Sequence, residues 1–268
     1  MSEPEIVIVA DPGAGAVEAA ARITAALAFA VEGRGRADWA TTGGSTPVAI
    51  YRRLTAPPLI DAVPWAAVHA WWGDDRYVTR DHPLSNVKPF DDILLDVGER
   101  EEGTSGGAAE GVPIPYENVH PFPTTKAIGE ARGAGWCAEA LAEELRSAGL
   151  PTEDGWPVFD LMLIGIGGDG HLLSVFPGSP ALASDALALA IPAPTHIEPH
   201  VERVTLNPAV VGVARQVIIV VNGADKAPVV ARILGPGERD PSRWPAQLAR
   251  RAGAVWILDE DAAGVLPR

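Results

Sequence analysis

The chain has 268 residues, 47% of them hydrophobic and 21% charged, a balance that supplies a sizeable core and excludes a disordered polymer. Its net charge of −14 argues against non-specific binding to nucleic acid or to an anionic membrane, and leaves an anionic metabolite open only through a local cluster of Arg, Lys and backbone N–H groups. Cys137 is the single cysteine, which excludes an internal disulfide and a cysteine-based zinc site. The opening residues MSEPE carry no basic segment followed by an apolar one, and no run of about 18 apolar residues follows, so the chain reads as an unexported, cytoplasmic protein.

Residues 5–10 (EIVIVA) are a β-branched run with the pattern of a buried strand, and the alanine-rich stretch 16–31 has helical potential. Residues 38–41 form a second strand that runs into Gly43-Gly44-Ser45-Thr46, after which 47–54 reads as a helix with Pro47 at its first position and Thr46 as its N-cap. A third strand covers 66–71 and a helix 86–95; residues 98–111 are a polar, Gly-rich surface loop. The strongest helix is 134–148, with Trp136, Ala140, Leu141 and Leu145 on its apolar face, Glu139, Glu143, Glu144 and Arg146 solvated, and Gly149 as its stop. Strands at 159–164, 201–206, 216–221 and 254–258 follow, with helices at 224–234 and 245–251 between the later ones. This alternation predicts one α/β domain over residues 1–268, a mainly parallel sheet with helices on both faces. Ligands of such sheets lie beyond the carboxyl ends of the strands, so the loops just after strands hold the candidates.

The first such loop, Gly43-Gly44-Ser45-Thr46-Pro47, has glycines that let backbone N–H groups approach a ligand and two hydroxyls beside them, a phosphate cradle in kind; an ordinary capped turn has the same composition. No Lys follows the glycines, so it is not the nucleoside-triphosphate loop. The second, Gly165-Ile166-Gly167-Gly168-Asp169-Gly170-His171, matches the spacing of the dinucleotide fingerprint. That fingerprint must open a long helix, and Pro177-Gly178-Ser179-Pro180 breaks the chain too soon. What the loop offers instead is an imidazole, His171, a group able to accept a proton from water, with Asp169 two residues away to orient it. The third, Trp72-Gly73-Asp74-Asp75-Arg76-Tyr77-Val78, has a guanidinium able to bind phosphate or steady an oxyanion, with acids placed to position it. Arg203 and Lys226 add positive charge near the ends of later strands, and Lys226 falls in the first turn of a predicted helix, where the dipole disfavours a cation unless an anion is near. His196 and His200 are four apart, but Pro194 and Pro199 prevent a regular helix from facing them together, so no metal site is predicted. No Gly-x-Ser-x-Gly elbow supplies a serine nucleophile.

Taken in order, TTGGSTP at 41–47, WGDDRYV at 72–78 followed by Ser85-Asn86, FDLMLIGIGGDGHLLSVFPGS at 159–179, RVTLNPAVV at 203–211 and GADKAPVV at 223–230 resemble the 6-phosphogluconolactonase family over nearly the whole chain. The resemblance implies a Rossmann-like α/β fold shared with sugar-phosphate isomerases, no cofactor, and hydrolysis of 6-phosphoglucono-1,5-lactone, a phosphorylated sugar lactone, by a monomer or homodimer. It implies His171 as general base with Asp169 beside it, and Arg76 stabilising substrate or developing charge. Gly43, Gly44, Ser45, Thr46, Arg203 and Lys226 would hold the phosphate, with Asp74 and Gly168 also at the substrate. Two departures stand out: the family usually reads Asp-Glu-Arg where this chain has Asp74-Asp75-Arg76, and a small residue where Leu172-Leu173 precede Ser174. The residues alone leave Asp169, Asp74 and Asp75 all open as the partner of His171. The nearest alternative, glucosamine-6-phosphate deaminase/isomerase, shares the glycine loop but continues into a carboxylate; here Ser174-Val175-Phe176-Pro177 has none. A sugar-phosphate-binding protein without catalysis is the alternative from another class, and it has no reason to keep both His171 and Asp169.

Overall fold

The computed structural model describes residues 3–95, 111–237 and 239–266. Seven parallel strands form the central sheet: β1 (Glu5–Val9), β2 (Ala37–Thr41), β3 (Val68–Trp72), β5 (Val119–His120), β8 (Leu161–Ile164), β11 (Gln216–Val221) and β12 (Ala254–Asp259), in the order β1-β12-β11-β8-β2-β3-β5. The intervening numbers are a three-stranded antiparallel sheet of β4 (Asp74–Arg76), β9 (Ala188–Ile191) and β10 (Arg203–Leu206), and a small β6 (Thr152–Glu153) and β7 (Trp156–Pro157) pair. The helices are α1 (Pro12–Arg34), α2 (Ser45–Leu54), α3 (Leu59–Ala62), α4 (Lys88–Ile93), α5 (Thr124–Gly129), α6 (Gly133–Ser147), α7 (Ala209–Val213) and α8 (Ala227–Leu234). Every residue of β2 and β8 is buried, as expected where helices cover both faces of a parallel sheet.

Helix α1 is longer than its alanine-rich run because its limits lie outside that run. Asp11 accepts a hydrogen bond from the Ala14 N–H at 2.8 Å, Pro12 opens the helix, and Gly35 closes it at φ 74°. The helix is long and apolar enough to cross a membrane, yet Ala16, Ala19, Ala20, Ile23 and Leu27 are buried in the common core; the small side chains let its backbone lie close on the sheet.

Strands β2 and β8 are neighbours, pairing Trp39 with Leu161 and Ala40 with Met162. From β2 the chain proceeds to β3 on one side, and from β8 to β11 on the other. The loops beyond Thr41 and Ile164 therefore diverge and open a crevice, the switch point at which such sheets bind ligands.

Several expectations need correction. The strand expected at 201–206 does not join the parallel sheet: as β10 it pairs antiparallel with β4 and β9. This small sheet stands over the carboxyl ends of the large one, tied down by Gly73 N to Thr41 O at 3.1 Å and Leu206 N to Gly73 O at 2.8 Å. Thr46 is not an N-cap. Helix α2 starts at Ser45, its cap is Gly44 at φ 101°, and no side chain closes the first turn. The inner seam of α6 is Cys137, Leu141 and Leu145 with Ala134, Ala138 and Ala142, while Trp136 and Ala140 lie at its margin; Glu144 is not free in solvent but meets His120 Nδ1 at 2.6 Å. Residues 224–226 and 245–249 form 310 turns rather than α-helix. Of the loop expected at 98–111, residues 98–110 lie outside the described residues.

Candidate active site

The glycine loop after β8 folds back on itself: Gly167 N–H donates to His171 O and Gly170 N–H to Gly167 O, both at 3.0 Å. No helix forms between Gly165 and Ser179, so the crossover helix of a dinucleotide site is missing here. The tight fold brings His171 Nδ1 to 2.5 Å from Asp169 Oδ1, and the His171 backbone N–H donates to the same oxygen at 3.2 Å. With Nδ1 held, Nε2 is the nitrogen left to exchange a proton with a ligand. Burial alone would raise the Asp169 carboxyl, but the hydrogen bonds and charge of His171, with a further bond from His196, outweigh it and hold it well below the usual carboxylate range. Among the three open acids, Asp169 is thus the one that meets His171.

The period-2 geometry of β4 explains why the neighbouring acids do something else, since adjacent residues point to opposite faces. Asp74 and Arg76 line a small cavity of about 140 Å³ together with His171 and Arg203. Asp75 points away and is fully buried. Its Oδ1 accepts the backbone N–H groups of Arg76 at 2.8 Å and Asn86 at 2.6 Å, and its Oδ2 the Ser85 hydroxyl at 3.1 Å. Asn86, which the sequence presented only as part of a motif, is the hub of this corner. Its Nδ2 donates to Asp74 O at 2.9 Å, its Oδ1 accepts from Arg76 Nη1, and its carbonyl accepts from Trp72 Nε1 at 3.2 Å. Ser174 also has a definite place: its hydroxyl donates to Asp74 Oδ2 at 2.6 Å.

Burial pushes the Asp75 carboxyl up to about 7 against the pull of its two backbone N–H donors. Unfolded, the group ionises near pH ~4, so between about pH 4 and 7 the native state holds a proton that the unfolded state has lost, and this group's contribution to stability falls as pH rises. Asp75→Asn keeps an oxygen for both backbone donors and removes the ionisation. Thermal unfolding at pH 5 and pH 8 should show a smaller loss of Tm at the higher pH in the variant than in the wild type; equal losses would contradict this account.

On β10, Arg203 stands directly across from Arg76. Like charges in such a pair repel, and Arg203 is only 4% exposed; burial, then the Arg76 charge, draw its guanidinium below its ordinary value. Its contacts are the carbonyls of Pro199 at 3.1 Å and Val201 at 3.3 Å, and the Phe176 ring at 5.9 Å. Arg76 Nε is buried without a hydrogen-bond partner. Two guanidiniums lining one cavity form a site for negative charge.

A second cavity, of about 530 Å³, is lined by Gly43, Gly44, Ser45, Thr46 and Lys226. It shares Thr42, Gly43, Gly165 and Ile166 with the first, so the two form one cleft. Gly44 and the open first turn of α2 supply unpaired N–H groups. Gly43 is required for another reason: a Cβ there would collide with the Asn86 backbone. The expected phosphate set is therefore divided. Lys226 and residues 43–46 share the larger cavity, whereas Arg203 lies with Arg76 and His171 in the smaller one. Gly168 lies close to Lys226, whose Nζ would be 3.9 Å from a Cβ at that position, and lines neither cavity. A separate cavity of about 590 Å³ at the amino ends of the strands, lined by Ala30, Val158 and Gln216 among others, holds none of these groups. Among the described residues no group of His, Cys, Asp or Glu is arranged to hold a metal ion.

A parallel sheet whose switch-point crevice carries an imidazole–carboxylate pair, two facing guanidiniums and an open helix N-terminus defines the class: a Rossmann-like α/β enzyme with a site for a small anionic substrate. Residues 10–257 match the family model described as glucosamine-6-phosphate isomerases/6-phosphogluconolactonase, and the chain belongs to that family. It is 32% identical to the 6-phosphogluconolactonase of Streptomyces coelicolor over 269 residues, covering 99% of this chain and 95% of that one. It is 33% identical to the Mycobacterium tuberculosis 6-phosphogluconolactonase over 247 residues, 92% of each. The solved 6-phosphogluconolactonase of Trypanosoma brucei superposes with a TM-score of 0.82 over 100% of both chains at 28% identity. A monomeric glucosamine-6-phosphate deaminase superposes at 0.74 with 16% identity, a likeness of fold alone.

Proposed function

We propose that the chain hydrolyses 6-phospho-D-glucono-1,5-lactone to 6-phospho-D-gluconate, the lactone-opening step of the pentose phosphate pathway. The observation that carries this reading is the Asp169–His171 pair, 2.5 Å apart, with His171 lining the same small cavity as Arg76 and Arg203. Its neighbours argue against the deaminase alternative: the stretch 174–177, where that family continues into a carboxylate, has no acid here, and it holds Ser174, bonded to Asp74, and Phe176, whose ring centroid lies 4.7 Å from that of His171.

In this reading the phosphate rests on residues 43–46 and Lys226, and the lactone carbonyl reaches the guanidinium pair. His171 Nε2 takes a proton from water as its oxygen bonds to the carbonyl carbon. The oxyanion that forms is stabilised by the charges of Arg76 and Arg203, which line the same cavity as His171. Collapse breaks the bond between that carbon and the ring oxygen, and His171 returns the proton to the departing oxygen. Asp169 fixes the tautomer and steadies the transient imidazolium, as carboxylates do beside catalytic imidazoles. Binding at the phosphate end orients the ring, and orientation becomes rate. We further infer a single domain over residues 1–268, no cofactor, a cytoplasmic location, and a monomer or homodimer.

The test is to generate the lactone in situ and compare its decay with and without protein, with glucosamine 6-phosphate as a control. Acceleration over the spontaneous background supports the reading. Unchanged decay, or ammonia released from glucosamine 6-phosphate, would sink it.

A further inference from the structure

The Asp169 carboxylate serves two imidazoles. Its Oδ1 meets His171 Nδ1, and its Oδ2 meets His196 Nε2 at 2.9 Å. His196 comes from the irregular segment between β9 and β10, in which Pro192, Pro194 and Pro199 limit the backbone. Its ring packs edge-on against Phe176 with centroids 5.5 Å apart, and Phe176 also contacts His171. Half of the His196 side chain stays exposed, so the residue spends an imidazole at the rim of the cleft on a carboxylate that already has a partner.

We propose that His196 is a positioning residue: by occupying the second oxygen of Asp169 it divides that carboxylate between two rings and lowers the proton affinity of His171. The inference rests on the reading of His171 as the general base. A carboxylate facing His171 alone would give its full charge to the imidazolium and make His171 easier to protonate. A donor on the other oxygen withdraws part of that charge, and a protonated His196 would add repulsion, so both states of His196 act in the same direction. The outcome suits a base that must be unprotonated when water attacks.

Other charges face this corner. Asp74 and Arg76 line the same small cavity as His171, Arg203 lies over the Phe176 ring, Lys226 Nζ approaches the Ile166 carbonyl at 3.5 Å on the glycine loop, and Glu198 pairs with His200 at 3.1 Å on the segment of His196 itself. All of them remain when His196 alone is changed, so a shift caused by that change belongs to its contact with Asp169.

The experiment compares wild type, His196→Ala and His196→Gln by two readouts: the pH profile of kcat/KM for the lactone, and the titration of the His171 ring followed by NMR. The Ala variant should move the His171 titration and the acidic limb of the profile upward by roughly half to one pH unit, the size of one ordinary net hydrogen bond. The Gln variant, which keeps a neutral donor for Oδ2, should lie closer to wild type. Superimposed titrations for wild type and Ala, or a Gln shift as large as that of Ala, would overturn the proposal. Ring titration needs no turnover, so it decides the role of His196 even if the wild type fails to open the lactone, a failure that would remove only the hydrolase reading.

Discussion

Replacing His171 with Asn lowers kcat/KM for the lactone by about 10³-fold, within the range that a positioned general base supplies. The loss should fall on kcat with little change in KM, because the imidazole gains its interaction only as the proton moves, while Lys226 and the open turn of α2, the proposed phosphate site, are untouched. The ring is partly exposed and contacts Phe176 rather than the main core, so Tm should stay within a few degrees of wild type. Steady-state rates corrected for spontaneous hydrolysis, with a thermal melt of the same sample, measure both. A folded variant that retained more than a tenth of wild-type kcat/KM would remove His171 from the chemistry.

Nearly as large an effect is expected from Gly167→Ala, a change of one methyl group. The Cβ would fall on His171 Nδ1 and within 2.5 Å of Asp169 Oδ1, and neither atom can move away without parting from the other. The glycine is there because the loop must close tightly enough for residues 169 and 171 to meet, and only a hydrogen fits inside that closure. Displacing a catalytic pair by about 1 Å costs on the order of 10²-fold in rate. The variant should therefore lose about that much in kcat while binding 6-phosphogluconate nearly as well as wild type, since residue 167 does not line the cavity proposed for the phosphate. Wild-type turnover in a folded Gly167→Ala protein would show that the pair is not needed in this geometry.

The sequence made the parallel sheet legible because its strands are dense apolar runs whose chemistry-bearing loops follow immediately, as at Ile164 and Thr41. It also placed His171 and Asp169 in one loop. What it concealed depends on contacts between distant segments. Asp74 and Asp75 look equivalent in a list of letters and separate only when 74–76 is seen as a strand, which puts one in the cleft and the other under Ser85 and Asn86. Arg203 read as one more cation near a strand end, because nothing local says that its strand leaves the main sheet to face Arg76. His196 sits four residues from His200 in the sequence, which draws attention to a metal pair, but the carboxylate it meets lies on a different loop and no spacing rule would find it. Thr46 lost the N-cap position because Gly44 can adopt φ 101°, which starts the helix two residues earlier than Pro47 suggested.

The strand order has a consequence for how the molecule is made. Strand β1 has its sheet partner in β12, with Glu5 beside Val255, and the crevice lies between β2 and β8, whose residues 39 and 161 are neighbours. A chain emerging from the ribosome can assemble β2 and β3 early, but the β1 edge must wait for β12, from which it is far separated in sequence, before it finds its place. Such long-range pairing makes for slow folding and for intermediates that leave apolar strands uncovered. Refolding of this protein should thus stay exposed to aggregation until β12 has taken its place beside β1.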